Sequence, residues 1–165
     1  MIRDATPADA AAIAELYNHY VRESTVTFEE EPVTAEAIAA RMREVNERFP
    51  WLLLEEDGAL VGYAYARHWQ TRSAYRHTVE TSVYVAHDRR GKGHGPDLYR
   101  ALLGRLPACD VHAVVAGVTL PNPASVAMHD KLGFKKAAHY TEVGRKFDRW
   151  LDVGYWHMVL ADKTQ

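Results

Sequence analysis

The chain has 165 residues, of which 47% are hydrophobic and 25% are charged, and its formal net charge is −2. This composition is typical of a globular protein and argues against disorder, and the length predicts one domain over residues 1–165. The near-neutral charge gives no overall basic field for nucleic acid or membrane binding, so any anion site must be local. The only cysteine, Cys109, excludes an intramolecular disulfide, and its apolar neighbours predict a buried side chain.

The first elements in chain order are a short strand and two helices. Residues 2–3 predict the strand, and the first helix follows with Thr6 as N-cap and Pro7 in its first turn. A second helix is predicted from about Thr34 to Arg48. The first helix contains Asp9 and the segment has no long apolar run, so it is not typical of a signal peptide. We therefore expect a cytoplasmic protein.

The remaining elements mix hairpins with strands that are joined by helices. The apolar runs WLLLEE and ALVGYAYARHW flank Asp57-Gly58, which is typical of a hairpin turn. The later elements are a strand at 78–85, a leucine-rich helix, a strand at 111–120, a short helix between Asn122 and Gly133, and a final strand from about Asp152. This order predicts an α/β domain with a mixed sheet.

A glycine-rich loop, RGKGHG, occupies residues 90–95 between a predicted strand and a predicted helix. Glycine allows close main-chain approach and positive φ, and the free N–H groups and dipole of a helix start attract anions. With Arg90 and Lys92, this pattern favours a phosphate or pyrophosphate ligand; the alternative is a flexible basic turn. The loop does not fit a dinucleotide fingerprint, whose sixth position is here Pro96, or a Walker loop, which needs a hydroxyl after the lysine.

Arg90-x-x-Gly93-x-Gly95 resembles the pyrophosphate loop of the GCN5-related N-acetyltransferases (GNAT), which bind acetyl-CoA. VETSVYV before the loop, LPNPASVAMHDKLGF after it and VGRKFDRWLDVGYW near the end are similar to the phosphinothricin and methionine sulfoximine acetyltransferase branch. The resemblance covers essentially the whole chain, with Pro96 as one departure. It implies the GNAT fold, an α/β (α+β) domain with a mixed central sheet of about six to seven strands, splayed central strands and helices on both faces.

The resemblance also implies the residues that bind acetyl-CoA, which would be the co-substrate. The pantetheine would pair with the main chain of Val83, Tyr84 and Val85. The pyrophosphate would be held by Arg90, Gly91, Lys92, Gly93, His94 and Gly95. Asn122 and Ser125 complete the implied contacts, on the same helix face as His129.

Two residues are candidates for catalysis. Strand alternation places Glu80 on one face with Thr78 and Tyr84, and a mid-strand carboxylate is either solvent-facing or functional. The resemblance implies that Glu80 is the general base that takes the proton of the amine, directly or through a water. His129 is a candidate acid or proton relay, with a structural histidine as the alternative. The nine histidines lack metal-ligand spacing, so no metal site is predicted.

For the acceptor, the resemblance implies a pocket near Phe28, Glu29, Arg76, His77, Thr78, Lys146 and Phe147. Arg76 is the first choice for binding a carboxylate, with a solvated surface arginine as the alternative. The expected function is acetyl-CoA-dependent acetylation of the α-amine of a small amino acid analogue such as phosphinothricin, methionine sulfoximine or methionine sulfone. The alternatives are acetylation of a protein N-terminus or polyamine, and an acyl-CoA-binding sensor without turnover. The resemblance also implies a homodimer.

Overall fold

The computed structural model describes residues 1–160. The strands are β1 (Ile2–Asp4), β2 (Trp51–Glu56), β3 (Ala59–His68), β4 (Thr78–Val85), β5 (Ala113–Leu120), β6 (Lys135–Lys146) and β7 (Arg149–Val159). The α-helices are α1 (Ala10–Glu23), α2 (Ala35–Asn46), α3 (His94–Arg105) and α4 (Pro123–Lys131). No helix in this part of the chain is both long and apolar enough to span a membrane.

The strands form one mixed sheet in the order β1-β2-β3-β4-β5-β7-β6. Within residues 1–160, β4 and β5 are the one parallel pair, and every other pair of neighbours is antiparallel. The two central strands share only three residue pairs and then separate. The predicted fold, with its splayed central strands, is therefore confirmed.

Helices cover both faces of the sheet. On one face, the ring of Tyr17 from α1 packs edge-on against Tyr84 of β4, with centroids 5.2 Å apart. On the other face, the Tyr99 hydroxyl of α3 lies 2.5 Å from the Thr81 hydroxyl. Because side chains alternate along a strand, β4 presents even-numbered residues to α1 and odd-numbered residues to α3. The two faces of β4 can therefore hold different parts of a site.

The sequence predictions for the last third of the chain were incomplete. They omitted β6 and began the final strand at about Asp152, whereas β7 begins at Arg149. β6 is an edge strand with mostly exposed residues, so it lacks the apolar alternation of a half-buried strand. The turn that joins β6 to β7 places Phe147 at φ 51° and Asp148 at φ 57°, without the glycine that signals such turns.

One smaller prediction was also wrong, and the start of α3 adds a detail to the glycine loop. Cys109 is half-buried rather than buried. α3 begins at His94, two residues before Pro96, so the glycine loop overlaps the first turn of the helix. Gly93 is the N-cap in a left-handed conformation, and Asp97 donates its N–H to the Gly93 carbonyl at 3.1 Å. The helix start therefore contributes its own N–H groups to the loop.

Candidate active site

The parallel pairing of β4 with β5 ends at Glu80. Three pairs join the strands, and the last joins Glu80 to Val115. Beyond this point β4 remains paired with β3 as far as Val85, and β5 remains paired with β7 as far as Leu120. A wedge-shaped opening between the two strands therefore begins at Glu80, whose side chain is 22% exposed.

Main-chain groups of β4 line one side of this opening. Just past the strand, Ala86 donates its N–H to Val61 of β3 at 2.8 Å. Successive strand residues direct their N–H and C=O groups in opposite directions, so Val83 and Val85 direct theirs away from β3 and into the opening. Tyr84 directs its main chain toward β3. Of the three residues implied for pantetheine pairing, Val83 and Val85 thus present main-chain groups on the side of β4 that faces the opening.

The glycine loop has the conformation that its sequence favours. Gly91 has φ 79° and Gly93 has φ 87°, both in the left-handed region that suits glycine. The N–H groups in the first turn of α3, beginning at His94, have no intrahelical partners, and the helix dipole adds positive potential there. These features together form an anion-binding site.

The other loop residues fit this arrangement. Arg90 and Lys92 are both exposed beside the helix start, where their charge reaches an anion. A Cβ atom on Gly95 would lie 3.4 Å from the sulfur of Met128, so the loop packs closely against α4. Pro96 is the third residue of α3, where its missing N–H removes no intrahelical bond.

The start of α4 lies at the same edge of the sheet. β4 and β5 are parallel, so the helices that follow their carboxyl ends begin side by side. Asn122 caps α4, because its side-chain oxygen accepts the N–H of Ser125 at 3.2 Å. Two helix N-termini therefore flank the opening.

His129 is buried within apolar packing. Its Nδ1 lies 2.7 Å from the Ser125 carbonyl, so Nδ1 carries a proton and donates it. The rings of Tyr99 and Phe134 pack edge-on against it, each with a centroid distance of 5.2 Å. Burial lowers the pKa of His129 below its ordinary value. A neutral imidazole with an unprotonated Nε2 favours a proton acceptor or a structural side chain over a general acid.

An arginine outside the sequence-predicted set lies beside Glu80. The β3–β4 register places Arg67 directly opposite Glu80, and Arg67 Nη2 donates to Glu80 Oε1 at 3.0 Å. About half of the arginine side chain is exposed, at 52%. The two-residue alternation along β3 puts Tyr63, Tyr65 and Arg67 on one face, but the β3–β4 register is needed to show that Arg67 lies opposite Glu80.

The loop between α1 and α2 brings a second ion pair to this face. Glu29 accepts hydrogen bonds from Arg41 at 2.5 and 3.0 Å and from the Tyr17 hydroxyl. The Arg41 hydrogen bonds lower the pKa of Glu29, although burial opposes them. Because Tyr17 packs on Tyr84, this pair lies over the α1 side of β4.

Lys146 fixes the same loop from beneath. Its side chain is buried, and Nζ donates to the carbonyls of Ser24 at 2.7 Å and Thr27 at 2.8 Å. Burial lowers the pKa of Lys146, with the opposing influence of nearby glutamates. The ring of Phe28 lies against Gly144 of β6 and leaves no room there for a side chain. Lys146 thus contacts the loop main chain.

The three predicted residues before the base are held by local contacts. Thr78 pairs with Ala113 at the closed end of the central strands. His77 Nδ1 lies 3.1 Å from the Asp110 carboxylate. Arg76 is exposed, and its guanidinium donates to the Ser73 carbonyl at 3.2 Å. Thr78 lies on the same face of β4 as Glu80, whereas Arg76 and His77 precede the strand.

A surface cavity of about 350 Å³ lies at the open end of the central strands. Its lining includes Tyr20, whose hydroxyl donates to the Val85 carbonyl at the end of β4. Arg90 from the glycine loop and Phe147 from the β6–β7 turn line the same cavity. Residues predicted for the cofactor and for the acceptor therefore meet here.

Comparison with known proteins identifies the class of protein that has this fold and site. The chain matches the acetyltransferase (GNAT) domain family over residues 2–154. Its structure also matches that of an acetyltransferase from Salmonella typhimurium solved with its cofactor acetyl-CoA, at 36% identity and a TM-score of 0.95, covering 100% of this chain and 96% of that chain. The chain belongs to the GNAT acetyltransferase family.

Two curated relatives define the branch. The chain is 41% identical over 155 residues to phosphinothricin N-acetyltransferase of Streptomyces viridochromogenes, covering 94% of this chain and 85% of that protein. It is 38% identical over 162 residues to the L-methionine sulfoximine/L-methionine sulfone acetyltransferase of Salmonella typhimurium, covering 98% and 95% respectively. The protein is an N-acetyltransferase of this branch, so the predicted family and enzyme class are confirmed.

Proposed function

We propose that this enzyme transfers the acetyl group of acetyl-CoA to the α-amine of a small amino acid analogue of the phosphinothricin, methionine sulfoximine or methionine sulfone type, with Glu80 as the general base. The observation that carries the proposal is the position of Glu80 at the last paired residue of β4. A carboxylate there lies beside the opening between the strands and on the face toward α1. The substrates named for the two curated relatives support the class of acceptor.

The residues around the opening fit acetyl-CoA, which when bound supplies an activated thioester. The N–H and C=O of Val83 and the N–H of Val85, with Tyr84 between them, are suited to the amide-rich pantetheine. The pyrophosphate would be held by Arg90, Gly91, Lys92, Gly93, His94 and Gly95. Asn122 and Ser125 would contact the coenzyme from the start of α4. The left-handed glycines and the free N–H groups of α3 support this assignment.

Glu80 prepares the acceptor by removing a proton. An aliphatic amine is mostly an ammonium at neutral pH, and its nitrogen cannot attack until the proton leaves. Within residues 1–160, Glu80 Oε1 bonds Arg67 and Oε2 has no hydrogen-bond partner. The free oxygen takes the proton, directly or through a water. A positioned base of this kind contributes about 10²- to 10⁴-fold to the rate.

In this proposal His129 acts through α4. Its Nδ1–H bond to the Ser125 carbonyl fixes the first turns of the helix, next to the cap made by Asn122. Its Nε2 is left to accept a proton rather than to give one. A role as a relay for the proton of the amine is compatible with this state, and to protonate the leaving thiolate His129 would first have to take up a proton at Nε2.

The acceptor pocket lies on the α1 side of β4. Phe28 and Glu29 form its wall, and Lys146 holds that wall in place through the loop main chain. Phe147 lines the cavity at the open end of the strands. The other assigned residues are Thr78 on the face of the base and Arg76 and His77 at the entrance of β4.

The proposal includes a homodimer formed through β6 and β7. β6 is an edge strand of the sheet, and an open edge is available for pairing or packing. Several large apolar side chains on these strands are exposed, namely Tyr140, Val143, Trp150 and Val159. Exposed apolar groups on an edge favour association with a second copy. Light scattering during gel filtration tests this assembly, and a monomer at micromolar concentration would contradict it.

Thiol release from acetyl-CoA across a panel of amines tests the proposed function. The panel contains phosphinothricin, methionine sulfoximine, methionine sulfone, peptides with free N-termini and polyamines. We expect turnover with the small amino acid analogues and little with the others. Turnover restricted to peptides or polyamines would assign the acceptor to another class. Acetyl-CoA binding without turnover on any amine would favour a sensor.

A further inference from the structure

The ion pair between Arg67 and Glu80 combines an unused cation with the proposed base. The contact is single, from Nη2 to Oε1 at 3.0 Å, although a guanidinium has five N–H donors and can bind a carboxylate through two of them. In residues 1–160, this is the one hydrogen bond that the guanidinium makes. Its side chain is 52% exposed, so the remaining donors are accessible.

Three other cations near the site are already engaged. Arg41 donates two hydrogen bonds to Glu29. The Lys146 ammonium donates hydrogen bonds to two main-chain carbonyls of the α1–α2 loop. Arg76 lies before β4 and donates to Ser73. Arg67 is therefore the cation that lies next to the base and still has donors to offer.

The chemistry of the acceptor matches this pair. In an α-amino acid, the ammonium and the carboxylate are attached to the same carbon. If Glu80 receives the ammonium, the carboxylate lies close to the neighbouring residue across the strand pair, which is Arg67. The ammonium of the acceptor then lies beside Glu80 and its carboxylate beside Arg67, so each charge has a neighbour of opposite sign. The pair is partly desolvated, which strengthens such contacts relative to those in bulk water.

We propose that Arg67 binds the α-carboxylate of the acceptor and makes the enzyme selective for amines that carry a free carboxylate on the adjacent carbon. This inference rests on the proposed function, because it assumes that Glu80 receives the amine. It explains discrimination against a peptide N-terminus, in which that carboxylate is an uncharged amide, and against a polyamine, which has none. It also assigns the carboxylate to Arg67 rather than to Arg76.

A merely structural role for Arg67 makes a different prediction. If the guanidinium only orients Glu80, its loss slows all acceptors equally, because every acceptor needs the base. If it binds the carboxylate, its loss affects an acid strongly and the matching carboxamide weakly. The two roles are separated by comparing one acceptor in both forms, such as methionine sulfone and its α-carboxamide.

The experiment measures kcat/KM for both forms in the wild type and in Arg67→Gln. We expect the wild type to prefer the acid by about 100-fold, as for a charge-assisted bidentate contact, and the variant to reduce this preference to within about threefold. Arg67→Lys should restore part of the preference, since it keeps the charge but not the planar fork. A preference that survives Arg67→Gln unchanged would overturn the inference.

Two matched substitutions sharpen the result. Arg105→Gln removes an exposed arginine that pairs with Asp4, and it should leave the preference at the wild-type value. Arg76→Gln tests the other arginine assigned to the acceptor pocket, and the inference requires that any loss of kcat/KM be the same for the acid and the carboxamide. If Arg76→Gln abolishes the preference while Arg67→Gln does not, the carboxylate binds at the start of β4 and Arg67 has no part in it.

Binding provides a readout that is independent of turnover. Calorimetric titration of methionine sulfone into enzyme saturated with coenzyme A should give an affinity at least about tenfold weaker in Arg67→Gln, with coenzyme A affinity unchanged. Equal wild-type activity on the acid and the carboxamide would reject the inference and leave the proposed function intact. No turnover of any small amine by the wild type would reject the proposed function itself.

Discussion

The parts of the site on the two sides of β4 differ in whether they consist of main-chain groups or of side chains. Toward α3 and α4, the site consists of main-chain groups and glycines that follow one another along the chain from Val83 to Gly95. Toward α1, it consists of charged side chains from separate segments: Glu29, Arg41, Arg67 and Glu80. The first is a local construction, and the second depends on the register and packing of distant elements.

This difference affects how each face responds to change. A main-chain site depends on φ angles, so a side chain at a left-handed glycine damages it without removing any functional group. A side-chain site depends on which charge opposes which, so removing one charge leaves its partner unpaired. Substitutions on the two faces should therefore separate coenzyme affinity from acceptor chemistry.

The largest expected effect comes from Glu80→Gln, on the side-chain face. The amide keeps the size of the carboxylate and can still accept a hydrogen bond from Arg67, but it cannot take a proton. We expect kcat to fall about 10²- to 10⁴-fold, with coenzyme A affinity within about twofold of wild type. Steady-state thiol release and calorimetry measure the two quantities. Glu44→Gln, at an exposed position of α2, is the matched control. Wild-type kcat in Glu80→Gln would remove Glu80 from the mechanism.

Gly93→Val should damage the part of the site that consists of main-chain groups and glycines. Gly93 has φ 87°, and although a Cβ atom there meets nothing within 4 Å, a β-branched residue is strained in this conformation. The strain is of order 1–3 kcal/mol, and the side chain obstructs the approach to the loop, so we expect coenzyme A affinity to fall about 100-fold. Gly104→Val, on the same helix and also in open space, should change the affinity less than about twofold. Similar affinities in both variants would contradict a role for the loop.

The main-chain part and the side-chain part of the site also differ in how far the sequence predicts them. The RGKGHG loop, the Asn122 cap and the mid-strand Glu80 each depend on residues close in sequence, so spacing and alternation located them, whereas the roles proposed for Glu80 and Asn122 come from the family resemblance. The pair between Arg67 and Glu80 was missed, because β3 and β4 are joined by the long segment 69–77 rather than a tight turn. A loop of that length does not fix the strand register, so the sequence does not show which side chains are opposite.

The fold shows a similar limit at the β6–β7 hairpin. Its turn residues, Phe147 and Asp148, hold positive φ without glycine or asparagine, so the usual hairpin signal is missing. β6 also departs from regular pairing between Tyr140 and Gly144. Turn chemistry and edge-strand polarity concealed the element, whereas the central strands were predicted from their apolar pattern.

Lys146→Met tests whether the side-chain face depends on its support. Lys146 donates to two carbonyls of the α1–α2 loop, and hydrogen bonds from a charged group are each worth about 1.5–3 kcal/mol. Without them, the loop that carries Phe28 and Glu29 should be less well positioned, and we expect the acceptor KM to rise about tenfold with coenzyme A affinity unchanged. Lys135→Met, at an exposed position of β6, is the control. An unchanged KM would show that the acceptor does not use this loop.

His129→Gln should have the smallest effect, seen in stability. Burial lowers the pKa of folded His129 below 6.5, so the unfolded chain takes up a proton first as the pH falls. Stability is therefore fully present above about pH 6.5 and is lost below it, by at most about 1.4 kcal/mol per pH unit for one group. Urea unfolding at about pH 7 and about pH 5.5 should show a smaller loss in His129→Gln than in wild type. His112→Gln removes an exposed imidazole and is the matched control. Equal losses in wild type and His129→Gln would mean that folding does not lower the pKa of His129, which would restore it as a candidate acid.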